Sequence, residues 1–195
     1  MSILGLDRLQ MSAFEIDDFN PETASEQLIA WMSRWSELRR MGQMKHTPET
    51  ADELLERCGR LMVARLALPK RLVFPASKQC YLNAFNLFNR RDGLHYCEGN
   101  VFMAGCPIPV LHGWCVNGDG LVLDPSIEFE RGAVYYGIEY EDDFTRERWK
   151  QLRRKAAIGI LPNVWMLREK DNRWLEAGIR STNERSVHCA DIGRF

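Results

Sequence analysis

Cys80, His112 and Asp124 are the side chains whose types and order suit covalent chemistry: a nucleophile, a base and a group to orient the base. Cys80 opens the run C-Y-L-N-A-F-N-L-F, in which Tyr81, Ala84, Phe85 and Phe88 recur at helical spacing. With Ser77 as the helix cap, Cys80 falls in the first turn, where unpaired N–H groups and the helix dipole favour negative charge. A thiolate is the nucleophilic form of cysteine, and the same N–H groups can hold the oxyanion of a tetrahedral intermediate. The plainer alternative is a buried cysteine that packs as a small hydrophobe.

His112 lies in V-L-H-G-W-C-V, an apolar strand pattern where an imidazole without a partner would be costly to bury. A backbone carbonyl could satisfy it. Asp124 follows L-V-L and precedes Pro125, an unusual place for a carboxylate. A buried carboxylate calls for a donor, and an imidazole is one. The two stretches flank Asn117-Gly118-Asp119-Gly120, a strong hairpin signal. Strand parity then tests the pairing. A three-residue loop centred on Gly118 sets His112 opposite Asp124, whereas a two-residue turn at Gly118-Asp119 sends Asp124 to the other face. An enzyme-like arrangement therefore requires an odd-length loop or a bulge, which Gly120 is placed to supply.

These residues need a scaffold. Asn20-Pro21-Glu22 reads as a helix start, and Ala24, Leu28, Trp31, Trp35 and Leu38 continue as one apolar stripe toward Gly42. Thr47-Pro48-Glu49 opens a second helix expected to run to Leu66, so 20–67 reads as a helical hairpin packed on a core spanning 70–180. Residues 94–103, 108–116 and 121–124 read as strands; 135–138 is a further strand or loop, and a helix starts at Asp142 or Asp143. Residues 164–180 are ambiguous and 181–195 read as a tail. Helices followed by antiparallel strands make one α+β domain over 1–195.

The formal net charge of −1 gives no general pull toward nucleic acid, and no apolar run approaches the roughly 20 residues of a membrane span. Acids among the first 30 residues argue against a targeting peptide, so cytoplasm is the default location. Cysteines at 58, 80, 97, 106, 115 and 189 form no C-x-x-C pair, and reduced thiols are expected.

C-Y-L-N-A-F, E-G-N-V, H-G-W-C-V and L-D-P-S, in that order over about a quarter of the chain, resemble the core of the transglutaminase-like branch of the papain-like cysteine enzymes. Small bacterial and phage-borne proteins of unknown role look similar around the same three residues. The resemblance implies a helix bearing Cys80 packed on an antiparallel sheet. It also implies Cys80 as nucleophile, His112 as base and then acid, and Asp124 as the group fixing the imidazole tautomer. Acyl transfer at an amide or ester of a protein or peptide would follow, with no cofactor or metal. Gln79, Asn83 and Trp114 are the expected oxyanion or substrate contacts. Lys78 and Gln79 stand where that family often has glycine before its cysteine.

Three rival readings remain. A zinc site from Cys97, Cys106, His112 and Cys115 lacks the usual spacing and splits across strand faces. The basic run from Arg146 to Lys155 could face nucleic acid, but the acids at 139–143 favour a solvated helix face. A papain-like scaffold could also bind proteins without turning over, with Trp114, Tyr135, Tyr136 and Trp149 lining a peptide groove in either case.

Overall fold

A computed structural model describes residues 19–42, 51–73, 79–152, 159–161 and 177–180. The expectations for residues 1–18, for Ser77 as a helix cap and for the 181–195 tail lie outside them. Helix α1 (Pro21–Gly42) begins as its sequence dictates: the Asn20 side-chain oxygen accepts the N–H groups of Glu22 and Thr23 at 2.9 and 3.1 Å. Its buried stripe is Ala24, Leu28 and Met32; Trp35 is 39% exposed and stacks on Trp31 instead of entering the core.

The second helix departs from expectation. Helix α2 (Ala51–Cys58) stops eight residues short of Leu66, and Arg60–Met62 forms strand β1. The apolar period of Leu54, Leu55, Cys58, Leu61 and Met62 fits a helix. Tertiary pairing overrides it: β1 runs antiparallel to β5 (Ala133–Glu139), and Arg60 Nη2 meets Glu139 Oε2 at 2.7 Å. Helix α3 (Cys80–Arg90) precedes β2 (Leu94–Met103), β3 (Val110–Asn117) and the two-residue β4 (Val122–Leu123), and α4 (Asp142–Leu152) follows β5.

The sheet order is β1-β5-β2-β3-β4, with every named strand pair antiparallel, so the α+β class is as expected. Beyond β1 the chain reaches the opposite rim. Leu66 N–H donates to the Val122 carbonyl at 2.8 Å, and Val122 N–H donates to the Ala64 carbonyl at 2.9 Å. Residues 60–66 thus join both edges, and the sheet curls into a small barrel.

Strand parity sorts the side chains. Met62, Cys97, Val101, Trp114, Val116, Val122, Ala133 and Tyr135 fill the inner face. Tyr96, Phe102, Cys115, Val134 and Ile138 face outward under Leu28, Ala84, Phe88 and Trp149 of the helices. Phe85 stacks flat on Trp149 at 4.0 Å, which ties α4 to α3. Among the described residues no helix is long and apolar enough to cross a membrane.

Candidate active site

Cys80 is the first residue of α3, one position after the capping residue Gln79. An N–H at that point of a helix has no partner within the helix. The helix start lies directly on β3 because Gly113 has no side chain. A Cβ there would stand 2.9 Å from the Tyr81 ring and 3.0 Å from the Tyr81 Cα. That close approach sets the residue after Cys80 against the residue after His112.

The loop joining β3 to β4 has odd length. Asn117 N–H donates to the Leu121 carbonyl across residues 118–120, and Gly120 takes φ +79°, the left-handed conformation that suits glycine. Its centre is Asp119 rather than the expected Gly118, since Cys115 pairs with Leu123 and Val116 with Val122. Asp124 therefore stands opposite Trp114, and His112 is its diagonal neighbour on the same inner face. The expectation that His112 lies directly opposite is corrected by one step of two residues; the shared face is kept.

His112 Nε2 and Asp124 Oδ2 are 2.9 Å apart, with both residues buried. A carboxylate only accepts, so Nε2 carries the proton toward Asp124, and Cys80 is among the groups near enough to act on the imidazole. Among the described residues β4 pairs on β3 with Cys115 and Val116, so β3 has no β4 partner at His112.

Asp124 is held by more than its histidine. Its Oδ1 accepts the N–H groups of Ser126 and Ile127 at 2.7 and 3.1 Å, and its Oδ2 accepts the Tyr135 hydroxyl at 2.9 Å. Burial alone would raise its pKa, but the His112 charge and these donors bring it below the ordinary carboxylate value. Burial likewise pulls His112 down, and the Asp124 carboxylate with the Cys80 contact overrides it, pushing the imidazole up to about 10. The Asp124 carboxylate and the His112 imidazole thus each favour the charged form of the other.

Tyr135 and Arg65 complete this support, and no local pattern in the sequence marks either as part of it. Burial and the Asp124 charge keep the Tyr135 phenol protonated, so it remains a donor. The Arg65 guanidinium donates to the carbonyls of Ile127, Glu128, Phe129 and Arg131, and it lies 5.8 Å over the Tyr135 ring. It thereby fixes the loop that supplies the Ser126 and Ile127 amides. Tyr135→Phe is expected to lower the free energy of unfolding by about 1–3 kcal/mol, since one acceptor site of a buried carboxylate loses its donor; urea unfolding measures this.

The other expected site residues divide. Gln79 is exposed at the helix start, and its carbonyl accepts the Asn83 N–H at 2.8 Å. Asn83 is buried and donates to the Ser126 hydroxyl at 3.2 Å, which ties α3 to the Asp124 loop. Trp114 is fully buried inside the barrel with its indole N–H on the Met62 sulfur at 3.3 Å, so the expected substrate contact is corrected to a packing role. Tyr135 and Trp149 are buried as well.

Of the proposed zinc ligands, Cys97 points into the barrel and Cys115 out toward α3, where its thiol meets the Ala84 carbonyl at 3.2 Å. No cluster of His, Cys, Asp and Glu able to hold a metal occurs among the described residues. Cys80, Cys97, Cys106 and Cys115 are free thiols. Arg146 lies over the Phe88 ring at 4.9 Å and pairs with Asp143, while Arg148 bonds Gln151.

Comparison with known proteins found no matching protein family, no matching characterised protein and no matching solved structure.

Proposed function

We propose that this protein is a thiol enzyme with a transglutaminase-like, papain-like core, which hydrolyses an amide bond in a protein or peptide through Cys80, His112 and Asp124. The observation that carries the reading is the chain of hydrogen bonds from Tyr135 through Asp124 to His112, with Cys80 at a helix start among the groups that act on the imidazole. A purely structural histidine needs no thiol near its ring, and a packing cysteine needs no imidazole.

In the proposed reaction the Cys80 sulfur, as thiolate beside the imidazolium, attacks the carbonyl carbon. A C–S bond forms and the carbonyl electron pair moves to oxygen, where N–H groups at the start of α3 face it. As the oxyanion collapses, the C–N bond breaks and His112 passes its proton to the departing amine. Water then attacks the thioester with His112 taking its proton, the C–S bond breaks, and the acid leaves with the thiolate restored. Asp124 stays ionised throughout and fixes which ring nitrogen faces sulfur. Replacing that water with an amine gives transglutaminase-type transfer by the same steps; hydrolysis is preferred because it needs no second binding site. A binding scaffold with an idle triad is the reading from a different class, and reactivity separates the two.

Iodoacetamide labelling followed by peptide mapping is the direct test. Cys80 is expected to react faster than Cys58 and Cys106 at pH 6–7 and to lose that advantage in His112→Ala. Equal labelling of the three thiols in the wild type would overturn the enzyme reading.

A further inference from the structure

Tyr135 reaches Asp124 from the far side of the barrel. It lies on β5, which the sheet order separates from β4 by β2 and β3, and its side chain points into the interior with no solvent exposure. Its hydroxyl donates to Asp124 Oδ2 at 2.9 Å, the same oxygen that meets His112 Nε2 at 2.9 Å. The other oxygen, Oδ1, is filled by the amides of Ser126 and Ile127. A carboxylate offers about four acceptor sites, and Asp124 has a donor for each.

Glu98 has the same tyrosine and two amides without a histidine. It is fully buried on β2 and accepts the Tyr96 hydroxyl and the N–H groups of Ile160 and Leu161. What sets Asp124 apart is that a phenol and an imidazole draw on one oxygen. Each takes a share of the same negative charge, so each bond is weaker than it would be alone. Because the amides pin Oδ1, the carboxylate cannot turn to give each donor an oxygen of its own.

We propose that Tyr135 is a positioning residue of the thiol enzyme: by sharing Oδ2 with His112 it tempers the pull of Asp124 on the imidazolium, and so leaves His112 able to pass its proton to the departing amine. An imidazolium held too tightly is a poor acid, since proton transfer is most efficient when donor strength matches the working pH. The Asp124 charge already pushes the imidazole up to about 10, and a donor that stabilises the carboxylate moves it back toward neutrality. The phenol suits this task. Burial and the Asp124 charge keep it protonated, while the Arg65 guanidinium 5.8 Å over its ring makes it a stronger donor. The other titratable groups that feel this pair are Cys80 on α3 and Cys115 on β3.

NMR of the full chain with isotope-labelled histidine tests the sharing. Tyr135→Phe is expected to move the His112 Nε2–H proton to lower field and to raise the midpoint of imidazole titration by about one pH unit, a tenfold gain in proton affinity. A ring-fluorinated tyrosine at position 135 is a stronger donor of nearly the same shape, and it is expected to move both signals the opposite way. That second protein keeps the barrel filled, so it decides the matter if the phenylalanine variant folds poorly. A disturbance of packing alone has no reason to reverse sign between the two. His112 signals unmoved in both proteins, or displaced in the same direction in both, would overturn the proposal. Its bearing on catalysis rests on the thiol-enzyme reading, and the two fail separately. Unremarkable Cys80 labelling sinks that reading and leaves the NMR result standing, whereas an unmoved His112 beside a reactive Cys80 sinks only the role given to Tyr135.

Discussion

Asp124→Ala is expected to lower the free energy of unfolding by about 3–5 kcal/mol, because it strands a buried partner of opposite charge. The His112 imidazole, the Tyr135 hydroxyl and the amides of Ser126 and Ile127 all lose their acceptor at once. The pH dependence gives the effect its signature. Asp124 is held below its ordinary value, so its contribution is present above about 3.8 and lost as pH falls through the lowered value. His112 is held above its ordinary value, so its contribution is full below 6.5 and lost as pH rises through about 10.

The deficit of the variant is therefore greatest between those ordinary values and shrinks toward alkaline pH. Urea unfolding of both proteins at pH 5.5 and pH 10 measures it. A deficit equal at both values would mean that Asp124 acts through its backbone-facing oxygen alone. Cys80 labelling in the same variant is expected to fall to the level of the other thiols, since the imidazole has lost the group that orients it.

Trp114→Ala is expected to lower stability by about 3–5 kcal/mol, the usual cost of emptying a large buried aromatic site. For a chain of this size that corresponds to a fall in Tm of roughly 10 °C. The indole fills the barrel beside Tyr135 at 5.1 Å and under His112 at 6.4 Å between ring centres, and a Cβ on Gly137 would come within 2.8 Å of it. Thermal unfolding checks the figure. A small shift in Tm together with weakened substrate capture would restore the contact role that the sequence suggests for this residue.

Much of this scaffold is legible in the chain itself. Asn20-Pro21 starts α1, the 94–103 run is strand β2 at its expected bounds, and Gly120 marks the left-handed residue of an odd-length loop. These features are local: a cap, an alternation, a turn. What escapes the sequence is long-range. Residues 60–66 carry a helix-compatible period and become a closing strand only because β5 and β4 offer unpaired edges. Tyr135 sits in a strand whose existence can be suspected, yet its hydroxyl partner is fixed by barrel curvature. Glu98 reads as one acid in an apolar run, and nothing near it in the chain announces the amides of Ile160 and Leu161. Trp114 misleads for a related reason: the strand pattern marks it as buried on one face without saying whether that face is a groove or a filled interior.

Joining both rims through residues 60–66 also sets an order of assembly. During synthesis this segment emerges before its partners at Val122 and at 135–137, so it must wait unpaired while the intervening chain is made. Closure of the ring, and with it the ordering of Arg65 behind the Asp124 loop, is a late event that depends on contacts distant in sequence, the kind that slow folding. A chain truncated before β5 would present Arg60–Met62 and the rim of β2 as open edges, prone to recruit strands from other molecules.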